Sequence, residues 1–189
     1  MRAGLSRSYI YSSDQLADQV VTGQKIADQA VNTPQLADGA VSISKLSIYI
    51  TDSRAKAYLS TAQSYSATTD TKVQFDTKVF DPLNHYDNTT NYRYTVTTGY
   101  EGQYVVHAHV TISAAASNTQ PLLKIFLNGG MVHTSFLHEV GGVGIFTGEI
   151  MGVLNLIAGD YVEIYVYSPL AGTIQLGSDR TYFEVFRLP

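Results

Sequence analysis

Three copies of one decapeptide stand in register near the start of this chain: QLADQVVTGQ, KIADQAVNTP and QLADGAVSIS, followed by a partial fourth, KLS. Leu16, Ile26, Leu36 and Leu46 occupy one phase, and Tyr11, Val21, Val31 and Val41 a second. Repeats dictate architecture, because each unit must bury its apolar face against something outside itself. A continuous helix does not fit. Gly23 and Pro34 would fall in its interior, where Pro costs about 3 kcal/mol. Short helical turns fit better, with Thr33 as N-cap, Pro34 at the first helical position and Gly39 near the stop. Period-two strands remain the alternative.

Each decapeptide offers one large aliphatic side chain, one Val and one or two Ala. A buried large aliphatic contributes about 2 kcal/mol, whereas ordering costs about 1.5 kcal/mol for every residue. A lone copy of this segment therefore does not hold itself folded. The strict phasing, which a linker does not need, points to copies that wrap together or lie against a larger body. Leu16, Val21, Ile26, Val31, Leu36, Val41 and Leu46 are the expected contact positions of a stalk or anchor over residues 1–50. Decapeptides with a Lys/Gln-Leu/Ile-Ala-Asp-x-Ala-Val core resemble repeats in the fibre and appendage proteins of tailed bacteriophages.

Beyond the repeats the composition changes. The polar stretch SIYITDSRAKA marks a boundary near 47–57, with 51–56 read as a linker, and Tyr, Phe and His cluster after it. From residue 57 onward, alternating segments are divided by turn signals. Tyr104, Val106, Ala108 and Val110 take one face of a strand, and Val105, His107, His109 and Thr111 take the other. Lys72–Phe75, Thr77–Phe80, Leu122–Leu127, Met131–Phe136, Glu149–Ile157, Tyr161–Tyr167 and Tyr182–Leu188 read as further strands. Asn128-Gly129 is a strong hairpin signal, and Asp81-Pro82 and Gly159-Asp160 mark turns. Many short strands without a helical period predict a mainly β fold, an antiparallel jelly-roll sandwich over residues 57–189.

The spacing of Phe75, Asp81 and Tyr86-Asp87, continued by Tyr94 and Gly102-x-Tyr104, carries a family resemblance. Leu127-Asn128-Gly129, Leu154-x-Leu156-x-x-Gly159-Asp160-x-Val162 and Tyr182-Phe183-x-x-Phe186-x-Leu188 extend it. Residues 57–189 resemble the complement component 1q globular-head family, part of the tumour-necrosis-factor-like jelly rolls. Val106 and Ala108 depart from the pattern, standing where aromatics are expected. The resemblance implies a ten-stranded jelly roll that forms homotrimers, recognises ligands on exposed loops and catalyses nothing. Asp76, Asp81 and Asp87 are read as solvated turn carboxylates, with a calcium site of the kind some members carry as the alternative.

Both halves thus ask for self-association. In the head, His107 and His109 are expected at a trimer interface. So are Tyr161, Tyr165 and Tyr167, a stripe opposite Val162, Ile164 and Val166, because Tyr is favoured where a face is shared with a partner. Two imidazoles two apart on one strand face are weak candidates for a shared metal ion; on a threefold axis six would converge, as a metal site or a pH-sensitive plug. His133 and His138 beside Glu139 lack an HExxH pattern. No cofactor is expected.

Composition excludes other classes. Charged residues make up 15% of the chain against roughly 25% in typical soluble proteins, while 44% is hydrophobic, so much of the surface is expected to be covered by something other than water. A net charge of −4 without a basic block argues against nucleic acid. The absence of Cys removes disulfides, thiolate zinc sites and thiol nucleophiles. No apolar run approaches the roughly 20 residues of a membrane span, and the N-terminal MRAGLSRSYIYSS lacks a signal-peptide core. Gly141-Gly142-Val143-Gly144 lacks the Lys-Ser/Thr of a phosphate loop, and no Gly-x-Ser-x-Gly elbow exists.

The expectation is a non-enzymatic homotrimeric virion protein on the particle exterior. Residues 1–46 would engage other virion structural proteins, and the head would attach to a host-surface glycan or protein or decorate the particle. The rival readings are a bacterial or spore-surface structural protein and, last, a spike-borne glycan-cleaving enzyme.

Overall fold

Alternation of apolar and polar residues, rather than any single motif, builds the head. The computed structural model describes residues 53–114, 119–142 and 144–188. The stalk positions from Leu16 to Leu46 therefore lie outside the described residues.

Fourteen strands are present among the described residues: β1 (Arg54–Tyr58), β2 (Gln63–Tyr65), β3 (Thr71–Lys72), β4 (Thr77–Phe80), β5 (Tyr86–Asp87), β6 (Arg93–Thr95), β7 (Gly102–Ala114), β8 (Leu122–Leu127), β9 (Gly130–Phe136), β10 (His138–Val140), β11 (Ile145–Leu156), β12 (Tyr161–Tyr167), β13 (Gly172–Ile174) and β14 (Tyr182–Arg187). They form two antiparallel sheets. One runs β10-β11-β7-β14-β1-β4, with β13 and β2 attached beside β7; the other runs β5-β6-β12-β8-β9, with β3 beside β12. The long β7 pairs with β11 from Gly102 to Ser113, while its other side meets β14 first and β13 at its end.

The inward members of the alternation fill the layer between the sheets. Tyr104, Val106, Ala108, Val110 and Ile112 of β7 face inward with Phe146, Ile150, Leu154 and Leu156 of β11. Leu123, Ile125, Val162, Ile164 and Val166 are buried on the other sheet. Each Val, Leu, Ile or Phe among them contributes about 1.5–3 kcal/mol on leaving water. Small residues at Val106 and Ala108 have a physical reason. Ala108 pairs with Phe183, whose ring stacks on Phe75 at 5.8 Å and lies 5.5 Å from that of Tyr86. Neighbouring segments thus supply the aromatic volume of that layer.

Two expectations need correction. The segment 51–56 is not all linker, because β1 begins at Arg54: Ala55 and Ala57 are small enough to bury between the outward-facing Arg54, Lys56 and Tyr58. Of the expected strand Lys72–Phe75 only Lys72 is strand, as the end of β3. Val73 and Phe75 are buried but continue as irregular chain, and the Val73 N–H donates to the Ile164 carbonyl at 2.9 Å.

The Asn128-Gly129 hairpin forms as expected. Both residues take left-handed backbone angles, φ +52° and +79°, as a two-residue turn of the I′ kind requires. It is tied to β12, since the Tyr161 N–H donates to Asn128 Oδ1 and Asn128 Nδ2 donates to Asp160.

Candidate assembly interface

Residues of β7 that point away from the core carry the first candidate site. Cross-strand register places them in rows on the outer face of the β7 sheet. Arg54, Phe186, Val105 and Val153 form one row; Lys56, Glu184, His107 and Met151 the next; Tyr58, Tyr182, His109 and Glu149 a third.

The middle of this face is a linked polar strip. Lys56 Nζ donates to Glu184 at 2.5 Å and lies 4.7 Å from the centre of the Tyr182 ring. His107 sits between Glu184 and Glu149, at 3.4 and 3.3 Å. Burial raises the Glu184 carboxyl, but the Lys56 ammonium, with help from His107, outweighs it and holds the group below the usual carboxylate range. His109 stacks on Tyr182 at 5.6 Å. Its Nδ1 is 2.9 Å from the Arg180 carbonyl, which only accepts, so Nδ1 carries the proton and Nε2 accepts from Thr147 at 3.2 Å. Both imidazoles are thus engaged by the chain's own groups. Among the described residues no three His, Asp or Glu gather so as to hold a metal ion.

Around the polar strip the face is apolar and open. Met151 is 68% exposed and Val153 57%, large values for unbranched and branched aliphatics in strand centres. The face ends at β10, where Val140 is exposed, and the facing edge of the other sheet is β9, which exposes Met131, Val132 and Phe136. The two sheets meet along this margin: the His133 ring of β9 lies where a Cβ on Gly152 of β11 would stand, 2.5 Å away. One apolar face and one apolar edge therefore adjoin along β11.

The tyrosine stripe lies elsewhere. Tyr161, Tyr165 and Tyr167 stand on the outer face of the β12 sheet, on the opposite side of the sandwich from His107 and His109. That stripe is already covered by cations of the same chain. Arg93 lies 4.1 Å from the Tyr161 ring, Lys72 5.9 Å from Tyr165 and Lys124 4.8 Å from Tyr167. Lys72 also pairs with the buried Glu163, and Lys124 with Asp70. Burial, and then the charge of Glu163, pushes the Tyr165 phenol up to about 12. The residues expected to share one interface are thus split between two faces.

Asp76, Asp81 and Asp87 each serve a turn, as their preferred reading has it. Asp76 accepts from the Ser60 N–H, and Asp81 from the N–H groups of His85 and Tyr86 and from Lys78. Asp87 accepts from the N–H groups of Thr89, Thr90 and Asn91, and these bonds, that of Thr90 foremost, hold it far below the usual carboxylate range. The apolar edge at β9 was missed in the sequence, although Met131, Val132 and Phe136 after the hairpin signal it in retrospect.

No protein-family model and no curated protein matches this chain. Solved structures do. The globular domain of zebrafish complement 1qA is 17% identical, with a TM-score of 0.49 over 72% of this chain and 97% of that one. Murine APRIL at pH 5.0 is 14% identical, with a TM-score of 0.54 over 71% and 98%. APRIL at pH 8.0 gives 0.53 over the same shares. At that identity the APRIL likeness shows the fold alone: the head is a jelly-roll sandwich of antiparallel sheets.

Proposed function

We propose that this chain is a non-catalytic homotrimeric component of a virion exterior, whose repeats anchor or intertwine and whose head is displayed for host-surface attachment or decoration. The observation that carries the trimer is the outer face of β7, β11 and β14, with Met151 and Val153 exposed on β11 beside the polar strip, adjoining the apolar edge of β9. A head-to-tail contact uses two different patches, and their relative direction decides whether copies close into a ring or extend as a filament. Patches on adjoining sides of one body favour a small closed ring; patches on opposite faces favour extension. The His107 face with the β9 edge meets the first condition, and the His107 face with the tyrosine stripe does not. The phased decapeptides support the same assembly from the other end of the chain, and the low charge content fits a surface largely covered by partners.

Three identical heads combine weak single-site contacts into useful avidity, which suits attachment. Light scattering of the full chain is expected to give three times 20.6 kDa. A monomer at all accessible concentrations overturns the reading. Deleting residues 1–46 is expected to leave a folded head and abolish its incorporation into particles.

A further inference from the structure

The margin of the sandwich farthest from the β9–β10 edge holds a concavity of about 310 Å³, walled by the end of β4, by β5 and its turns, and by β6. We propose that it is a binding pocket for one unit of a neutral saccharide.

The walls are fixed before any ligand arrives. Asp81 ties Lys78 and the N–H groups of His85 and Tyr86 together at 2.8–2.9 Å. Asp87 locks the following turn by accepting three backbone N–H bonds, each 3.0 Å. His85, 7% exposed, is held by Tyr94 on one ring nitrogen and Thr97 on the other, at 3.1 and 2.8 Å. Such preorganisation removes ordering cost from binding.

Charge bookkeeping selects the ligand class. Lys78 is compensated by Asp81 and further held by Asn84 at 2.6 Å, and the Asp87 carboxylate is saturated by N–H donors. A charged ligand finds no unpaired counter-charge there. What the walls offer a ligand is the capacity these bonds leave: the Thr95 hydroxyl, the amide N–H groups of Asn84, the amide oxygen of Asn88, and the oxygen lone pairs of Thr89 and Thr97, whose hydroxyl protons go to Asp87 and His85. An apolar ligand would cut this remaining capacity off from water, at a cost of about 1–3 kcal/mol for each group left wholly unpaired. A solute dense in hydroxyls offers donors and acceptors to both kinds of group. The volume is at the small end of ligand sites, about 300–1,000 Å³, which suits a single sugar ring and not an extended chain.

Position supports display. The pocket sits across the sandwich from the edge assigned to assembly, so three pockets would stay open in a trimer. The inference deepens the attachment role proposed above and rests on it for its use, but each pocket belongs to one protomer.

The test is saturation-transfer difference NMR on the full chain with free hexoses, deoxyhexoses and N-acetylhexosamines, and sialic acid as the charged comparison. Saturable signal from at least one neutral sugar is expected. Thr89→Trp, at an exposed rim position, should abolish it, and Thr95→Val should weaken it about fivefold to tenfold, the loss of one hydrogen bond. Circular dichroism matching the parent protein certifies both variants as folded. No saturable signal from any neutral sugar, stronger binding of sialic acid, or signal unchanged in folded Thr89→Trp overturns the proposal. Light scattering of the same samples separates the two readings. A trimer that binds no sugar removes only the pocket, and a monomer that binds one removes only the trimer.

Discussion

The Nδ1 nitrogen of His85 and the hydroxyl of Tyr94, 3.1 Å apart, share a hydrogen bond whose direction is set three residues away. Tyr94 lies 2.8 Å from Ser53 Oγ, and Ser53 Oγ lies 2.7 Å from the Tyr104 hydroxyl, which donates to the Tyr100 carbonyl. A carbonyl only accepts. Tyr104 must therefore accept from Ser53, Ser53 from Tyr94, and Tyr94 from His85. The imidazole is fixed with its proton on Nδ1, and Nε2 accepts from Thr97 at 2.8 Å. Burial pushes the His85 pKa below its ordinary value, with the nearby Asp81 charge opposing.

The sign of the resulting pH dependence follows. A folded-state pKa below the unfolded value near 6.5 means that the unfolded chain binds more protons in the interval between them. Stability contributed by neutral His85 is complete above about pH 6.5 and is lost as pH falls below it, at no more than about 1.4 kcal/mol per pH unit for one group. His85→Asn retains an N–H donor toward Tyr94 and cannot titrate. Urea midpoints measured from pH 7.5 to 5 are expected to fall less in this variant than in the parent. Equal slopes would mean that His85 titrates freely.

Ser53 is the middle link and is fully buried between two buried tyrosines. Ser53→Ala removes an acceptor for Tyr94 and a donor for Tyr104 together, so a loss of about 1–3 kcal/mol is expected. Adding Tyr94→Phe should cost less in the Ser53→Ala background than in the parent, because the stranded hydroxyl is then gone. Additive losses in that double-mutant cycle would show that the chain does not act as a unit.

Much of this fold was legible because the period of two survives wherever a strand is buried on one face. β7, β8 and β12 follow it, and Asn128-Gly129 announces its turn by backbone chemistry alone. What alternation does not carry is which sheet a strand joins. His107 and Tyr165 each look like outward members of an amphipathic strand, yet they stand on opposite faces, because pairing partners far along the chain decide the sheet. β1 was obscured by Ala55 and Ala57, whose small size reads as polar linker until Phe183 and Val185 are seen beside them. The pocket was illegible for a different reason. Its walls are held by Asp81, Asn84 and Asp87, side chains whose work is to accept or bend backbone, and in a sequence these are indistinguishable from metal-ligand candidates.

Gly172 sits in β13 between the backbones of β7 and β2. A Cβ there would stand 1.9 Å from the Ser113 carbonyl oxygen and 2.5 Å from the Tyr65 hydroxyl. Backbone on one side leaves no room to yield. Gly172→Ala is expected to cost more than about 2 kcal/mol. Gly99→Ala is the comparison. Its φ of +90° is unfavourable but nothing lies within 4 Å of the new methyl, so about 1 kcal/mol is expected. Equal costs by urea denaturation would refute the steric account.

The Lys56–Glu184 pair is half-buried, so its value is modest, below about 1 kcal/mol. The Glu184 carboxyl titrates below its ordinary value in the folded protein, hence its contribution is present above about pH 4.5 and is lost as pH falls through the folded value. Glu184→Gln should destabilise the head slightly at pH 7, and the difference from the parent should vanish in stronger acid. A difference that grows toward low pH would reverse the sign assigned here.

Assembly through unlike patches makes a stronger demand than assembly as such. Met151 and Val153 belong to the face, whereas Met131 belongs to the edge, and in a head-to-tail ring the face of one copy covers the edge of the next. Charges placed on the face should therefore uncover a methionine on the edge of a neighbouring protomer. Met151→Glu combined with Val153→Glu alters positions already open to water in a single head, so folding stability should change by less than about 0.5 kcal/mol per site. In the full chain, peroxide oxidation of Met131, followed by mass spectrometry, is expected to be at least tenfold slower in the parent than in this variant, since an interface excludes oxidant from buried thioethers. A change on the tyrosine face, Tyr167→Ser, should leave the Met131 rate at the parent value. If Met131 oxidises at the rate of a free methionine in the parent protein, or if Tyr167→Ser uncovers it as readily as the face variant does, then the β9 edge does not meet the His107 face and the two patches are wrongly paired.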